Sequence, residues 1–262
     1  MAAKMSNVTN YFTTPILNKQ RCGPVLASLA CLAGLSTAAF ADDASIFAPY
    51  FRADIGLSST IHKDGYLLDS VERDELLVDS HTGGRFQIGA GLYLNDYLRT
   101  DITVSYRGNM TELGTYFDSD GIPNKPENVF DDGGFETSNL STMLNIYFEP
   151  MGVLGTSTGR FSPYVQAGIG WAHNETDDLY FPLYDLTVFG DTHDDLAWQI
   201  GAGTTYDLSD RWKLDLSYRY IDMGEARSGL RYDTAGAPAY IEQEARFDLR
   251  AHEVMLGLQY SF

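Results

Sequence analysis

The sequence predicts an all-β fold, an eight-stranded antiparallel up-and-down transmembrane β-barrel behind a cleavable N-terminal signal peptide. Three observations carry this expectation. Eight segments of about nine to twelve residues, the length a tilted strand needs to cross a bilayer core, alternate apolar with polar or small residues. The connections between them alternate long and short. Charges collect on one face of the segments and are nearly absent from the other.

The leader is read from the first 41 residues. Lys19 and Arg21 precede an apolar stretch from Val25 to Leu35, and Ala39-Phe40-Ala41 closes it. A basic start, a short apolar core and an A-x-A end are the parts of a secretory signal peptide. Cleavage after Ala41 would leave residues 42–262 as the barrel, beginning at Asp42, with Met1 or Met5 as the start. Both cysteines, Cys22 and Cys31, fall in the leader, so the mature chain has no disulfide or thiol chemistry. Of the 18 basic residues Lys4, Lys19 and Arg21 would be lost and none of the 36 acids, leaving a net charge of −21. Such a balance excludes nucleic acid as a partner, because phosphate contacts need a basic surface.

The strands follow in order. In the first, Phe47 to Leu57, Phe51, Ala53, Ile55 and Leu57 share a face opposite Tyr50, Arg52 and Asp54. Arg85 to Leu94 sets Phe86, Ile88 and Leu92 against Arg85, Gln87, Gly89 and Gly91. Asn95-Asp96 is a hairpin signal leading into Leu98 to Arg107, where Ile102, Val104 and Tyr106 oppose Arg99, Asp101 and Arg107. The fourth, Asn139 to Glu149, has Leu140, Leu144, Ile146 and Phe148 on its apolar side, and Pro150 to Arg160 reads as a longer turn. Phe161 to Ala172 carries Val165, Ala167, Ile169 and Trp171 outward; Leu196 to Leu208 does so with Leu196, Trp198 and Ile200. After the Ser209-Asp210 turn, Arg211 to Ile221 sets Trp212, Leu214, Leu216, Tyr218 and Tyr220 against Lys213, Asp215 and Arg219. The last strand, His252 to Phe262, alternates Val254, Leu256, Leu258, Tyr260 and Phe262 with Glu253, Met255, Gly257, Gln259 and Ser261.

Which face meets which solvent decides the compartment. A soluble lipocalin-like barrel would turn the charged face to water and fill its inside with the apolar one. The charged set here mixes both signs with many glycines, as a narrow ion-paired interior would. Arg52, Asp54, Arg85, Arg99, Asp101, Lys213, Asp215, Arg219 and Glu253 are therefore expected to form a lumen charge network. A charge facing lipid at mid-depth costs about 2 to 4 kcal/mol, which accounts for the bare apolar face. Phe148, Phe161, Tyr206, Trp212 and Phe262 at the turn ends, and Tyr106, Trp171, Trp198 and Tyr220 at the loop ends, fit two interfacial girdles.

The terminal strand, ending on Tyr260 and Phe262, resembles the C-terminal strand of bacterial outer-membrane barrels, where it is the signal read by the assembly machinery. The stretches Ser162-Pro163-Tyr164-Val165-Gln166-Ala167-Gly168-Ile169-Gly170 and Tyr206 to Tyr220 resemble the opacity-protein and OmpA-like family of surface-antigen barrels. The resemblance implies the outer membrane of a Gram-negative bacterium, short periplasmic turns and long external loops. It implies no shared chemistry: members act as adhesins, immune-evasion surfaces, membrane stabilisers or narrow pores.

Function is therefore expected in the loops, about residues 58–84, 108–138, 173–195 and 223–248. The third has Asp177, Asp178 and Asp185 interleaved with Tyr180, Phe181 and Tyr184. Such a surface suits extracellular ligands, basic partners or divalent cations, although no EF-hand-like spacing marks a metal site and no cofactor is implied. The leading expectation is a surface protein acting in membrane integrity and adhesin-like interaction, embedded in outer-membrane lipid. A small porin with a narrow ion-paired lumen is the alternative, with the glycines leaving a gap. More remote is an enzyme: His193-Asp194-Asp195 and Asp131-Asp132 invite comparison with omptin proteases, and His252 with lipid A-modifying enzymes.

Overall fold

In the computed structural model eight long strands close on themselves, each antiparallel to its neighbours. They are β1 (Ala48–Ile61), β4 (Thr82–Asn95), β5 (Leu98–Phe117), β6 (Phe130–Phe148), β7 (Phe161–Thr176), β10 (Thr192–Asp207), β11 (Trp212–Thr234) and β13 (Arg246–Ser261). Sequential neighbours pair, and β1 pairs with β13 from Tyr50↔Ser261 to Ile61↔Arg250, which closes the barrel. The described residues are 48–61, 65–68, 73–78, 82–117, 130–154, 159–181, 185–234, 237–240, 244 and 246–262. The expected signal peptide lies outside them.

One end is made by short turns. Asn95 Oδ1 accepts from the Tyr97 backbone N–H at 3.0 Å, which sets the β4–β5 turn. Ser209 Oγ accepts from the Trp212 N–H at 3.2 Å and sets the β10–β11 turn. Between β6 and β7 the short helix α1 (Pro150–Leu154) begins the longer connection. Around the middle of the barrel Ile55, Leu57, Leu144, Ile169, Ile200, Leu216 and Val254 all point outward and exposed. A continuous apolar girdle of this size is not stable against water.

The strands run further than the alternation indicates. A crossing takes about ten residues, yet β5 has 20 and β11 has 23. At the loop end β1, β4, β7 and β10 stop, and two hairpins take their places. β2 (Gly65–Leu68) and β3 (Arg73–Val78) bridge β13, at Arg246↔Tyr66, to β5, at Leu76↔Tyr116. β8 (Leu179–Phe181) and β9 (Leu186–Gly190) bridge β6, at Gly134↔Tyr180, to β11, at Thr234↔Leu186. The order β11–β13–β2–β3–β5–β6–β8–β9 is thus a second closed circuit of eight strands stacked on the first. The short strand β12 (Ala237–Tyr240) folds back on β11.

The stretches expected to be loops are in large part this extension, and β13 explains why they were missed. Along it the odd positions always face inward, but their chemistry changes. Phe247, Leu249 and Ala251 are buried and apolar, Glu253 and Gln259 buried and polar, while outward Val254, Leu256 and Leu258 are exposed. Outward Asp248, Arg250 and His252 replace the apolar set above Val254. Above His252 the strand is written as for a soluble barrel, below it as for a barrel in lipid. β11 adds a bulge between Asp222 and Glu225, with Gly224 at φ 78°, which shifts the alternation by one residue.

Candidate functional site: a filled lumen beneath a folded extension

Because inward positions recur every second residue on all eight strands, the side chains of distant segments meet in layers inside the barrel. The lower layer centres on Arg52 and Arg99. Arg52 forks onto Asp54, with Nε to Oδ2 at 2.9 Å and Nη2 to Oδ1 at 2.7 Å, and its Nη1 donates to Tyr147 OH at 3.0 Å. Arg99 lies over the rings of Tyr147 and Tyr164, 4.1 and 4.7 Å from their centroids, and donates to Gln259 Oε1 at 2.9 Å. Tyr50 and Tyr147 donate to Asp101, and Tyr164 donates to Asp215 Oδ1 at 2.7 Å.

The upper layer gathers Arg85, Arg107 and Arg219 around one carboxylate, Glu253. Arg107 Nε donates to Glu253 Oε1 at 2.6 Å, Arg85 pairs with Glu253 Oε2, and Arg219 Nε stands 3.9 Å from it. Gln87 ties the layers together: its Nε2 donates to Asp54 at 2.7 Å while its Oε1 accepts from Arg85 at 2.6 Å and Arg219 at 3.1 Å.

Of the nine residues expected in the lumen, eight are buried in these two layers. Lys213 is set apart at the turn-end rim, half-buried and paired with Asp207 at 3.3 Å. Residues that the sequence reading left out of the network are as central as those it named: Arg107, and the tyrosines Tyr50, Tyr147 and Tyr164. Arg107 and Tyr50 already stand on the charged faces that the alternation defines, and for Tyr147 and Tyr164 the signal is parity with an inward charge or glycine on the same strand. The glycines are not gaps. A Cβ on Gly203 would meet Tyr164 OH at 2.5 Å, and one on Gly257 would collide with the Asp54 carboxylate. The missing side chains make room for the network that fills the barrel.

Above the polar layers lies an apolar one. Met143, Ala172, Leu179, Val188, Ala197, Ile221, Met223, Ala226, Phe247, Leu249 and Ala251 form one buried cluster, with Leu179 and Val188 contributed by the β8–β9 hairpin. The hairpin is therefore part of the wall of the extension and turns Leu179 and Val188 into its interior. Of the expected interaction surface, Asp178 Oδ1 accepts from the Gly190 N–H at 2.9 Å, and Tyr180 OH donates to Asp185 Oδ1 at 3.2 Å, both holding the hairpin. Asp185 takes the left-handed conformation at φ 48° that an Asp tolerates in a turn. Asp177 and Asp178 are exposed; partial desolvation, and then the Asp178 charge, push the Asp177 carboxyl above the ordinary carboxylate range. Tyr184 and the Phe181 side chain lie outside the described residues.

The residues weighed for catalysis are dispersed. Asp194 pairs with His173 Nδ1 at 2.5 Å on the outer face, beside Trp171. Asp195 turns the other way and accepts from the Glu225 N–H at 3.1 Å. His252 meets Tyr218 OH at 2.6 Å on the outer face of β11 and β13. The side chains of Asp131 and Asp132 lie outside the described residues.

A closed eight-strand barrel, exposed and apolar outside and charged within, agrees with a family model described as the outer membrane protein beta-barrel domain, which matches residues 27–262. The chain belongs to the outer membrane protein beta-barrel domain family. The apolar girdle therefore faces the outer membrane of a Gram-negative bacterium. Among relatives, an uncharacterized protein of Brucella abortus is 30% identical over 200 residues, 69% of either chain. A putative adhesin of Rickettsia conorii is 27% identical over 161 residues, 58% of either chain. Among solved structures, the outer membrane protein OprG from Pseudomonas aeruginosa superposes with a TM-score of 0.55 at 14% identity, over 82% of this chain and 96% of its own. At that identity the likeness concerns the fold alone. Tyr260 and Phe262 close the last strand at the turn end, where their rings meet edge to face, 5.3 Å apart.

Proposed function

We propose that this barrel is an adhesin-like surface protein that crosses the outer membrane to hold its loop-end extension outside the cell. The observation that carries the reading is the second strand circuit with its buried apolar cluster, a folded platform rather than a set of loose loops. A filled lumen gives that platform a rigid base and offers no evident path for solute. The relative described as a putative adhesin supports the same class.

The chemistry of the platform sets the kind of partner. The chain carries twice as many acidic as basic residues, 36 against 18. Such a surface attracts basic partners at long range, and does so less as salt rises. The reading includes a secretory leader over residues 1–41, recognition of the Tyr260–Phe262 end by the assembly machinery, and a contribution to membrane integrity.

Adherence tests it. A non-adherent Gram-negative host displaying the full chain should bind mammalian cells or surfaces coated with a basic protein. A variant with residues 177–191 replaced by a short Gly-Ser turn should bind less while still reaching the outer membrane. Equal adherence with and without the full chain would overturn the reading.

A further inference from the structure

The connections at the turn end differ in chemistry. The β4–β5 turn exposes Asn95 and Asp96, and the β10–β11 turn exposes Ser209, Asp210 and Arg211, so both offer polar side chains to water. The β6–β7 connection opens instead with α1, whose residues Pro150, Met151, Gly152, Val153 and Leu154 include no charged, hydroxyl or amide side chain. None of them is buried by the protein. A helix that is apolar on every side belongs under cover, in a core or in a membrane.

The helix is held in one place. Glu149 N–H donates to Tyr97 O at 2.8 Å, and Gly152 N–H donates to Glu149 O at 3.1 Å. A Cβ on Gly152 would collide with the Asp96 carbonyl, so the glycine lets α1 sit directly on the β4–β5 turn. Its other neighbour is β7. With Gly152 against the turn, the next two positions round the helix point away from that contact.

Their exposure matches that of side chains that lipid covers. Val153 is 58% and Leu154 68% exposed, beside 62% for Ile55 and 60% for Leu57 in the girdle. The girdle also reaches the root of the helix. Phe148, the last residue of β6, is exposed, and its ring meets that of exposed Tyr97 with 6.3 Å between centroids. The one charged residue between Phe148 and α1, Glu149, turns to Arg99 Nε at 3.2 Å. β7 then begins on exposed Phe161. The apolar surface that faces the membrane thus runs through Phe148 onto α1.

We propose that α1 is an interfacial anchor, with Val153 and Leu154 inserted into the acyl-chain boundary of the leaflet at the turn end. The partner is phospholipid, held by burial of apolar surface. Because α1 carries no basic residue, the insertion does not depend on an anionic headgroup or on salt. The inference rests on the outer-membrane placement of the girdle and is independent of the adhesin-like reading.

The test uses the full chain with Cys22→Ser and Cys31→Ser, so that one introduced cysteine carries a fluorescent label. The protein is extracted from the outer membrane of a Gram-negative host and reconstituted in phosphatidylcholine vesicles with brominated acyl chains. A label on Leu154→Cys should lose fluorescence to the bromine, as should one on Leu144→Cys in the girdle, whereas one on Asp210→Cys should not. Val153→Cys, read in the same way, covers the case in which the first variant fails to fold. The double variant Val153→Ser with Leu154→Ser should lower the folded-to-unfolded ratio in urea with vesicles about tenfold. Labels at 153 and 154 that stay as bright as the one at 210 would overturn the proposal, and so would a serine variant as stable as the wild type.

Discussion

Arg107 and Glu253 stand 146 residues apart in the chain and meet inside the barrel with Nε and Oε1 at 2.6 Å. Their contact joins β5 to β13 across the lumen, between strands that are not neighbours in the spanning ring. Removing one partner of such a buried pair leaves the other uncompensated, at a cost of about 3 to 5 kcal/mol. Glu253→Gln should therefore destabilise the folded barrel on that scale, read as an earlier urea midpoint in lipid vesicles. The double variant Glu253→Gln with Arg107→Met should recover part of the loss. Two losses that simply add would show that the pair is not coupled.

The two parts of the barrel should respond separately. Leu249 belongs to the apolar cluster that the β8–β9 hairpin helps to form, above the apolar girdle. Leu249→Ala should cost about 2 to 5 kcal/mol, felt in the extension. Hydrogen exchange should then quicken at Val188 and Phe247 while amides near Leu214 and Leu258 stay protected, and the folded barrel should keep its heat-modifiable gel mobility. Uniform loss of protection would mean that the extension and the spanning barrel unfold as one unit.

The lipid boundary read from β13 makes a positional prediction. Arg250 faces outward naturally above His252, paired with Asp222 at 2.9 Å, whereas Leu256 is in the girdle. Leu256→Arg should cost about 2 to 4 kcal/mol in folding into vesicles. An arginine placed at Asp248 should cost far less. Equal penalties at the two positions would move the boundary.

Asp177 gives a pH dependence whose sign is fixed. Its carboxyl is raised in the folded protein by partial desolvation and by Asp178. A folded carboxyl raised above its unfolded value binds protons more readily when folded, so its contribution favours the folded form at acid pH and is lost as pH rises through the carboxylate range. The local reporter is the Asp177 N–H, which donates to Glu136 O at 2.9 Å. Its exchange protection factor should grow from neutral pH toward pH of about 4, and Asp177→Asn should flatten that growth. A protection factor that falls on acidification in the wild type but not in the variant would contradict the assignment.

The spanning barrel was legible in the sequence because lipid on one side and a charged lumen on the other write opposite chemistry on alternate residues. Phe51, Ala53 and Ile55 against Arg52 and Asp54 need no structure to be sorted. The extension was not legible for two physical reasons. Above His252 water replaces lipid, so the outward set becomes polar while the inward set becomes apolar, and the bulge at Gly224 displaces the phase on β11. The lumen was half legible. Parity pointed Arg52, Arg99 and Arg219 inward, but the layering depends on barrel register, which no single strand records. Tyr147 is the clearest case: an aromatic between Ile146 and Phe148 gives no hint that its hydroxyl donates to Asp101 at 3.1 Å under the Arg99 guanidinium.

The claim at the centre is that the barrel is sealed from within and presents a folded platform. Single-channel recording of refolded residues 42–262 in planar bilayers tests it most directly. The side chains that fill the lumen predict a silent membrane for the wild type, with openings appearing when Arg52, Arg99 and Arg219 are replaced together by alanine. Stable, long-lived openings of the wild-type barrel would contradict it and make the lumen a pore.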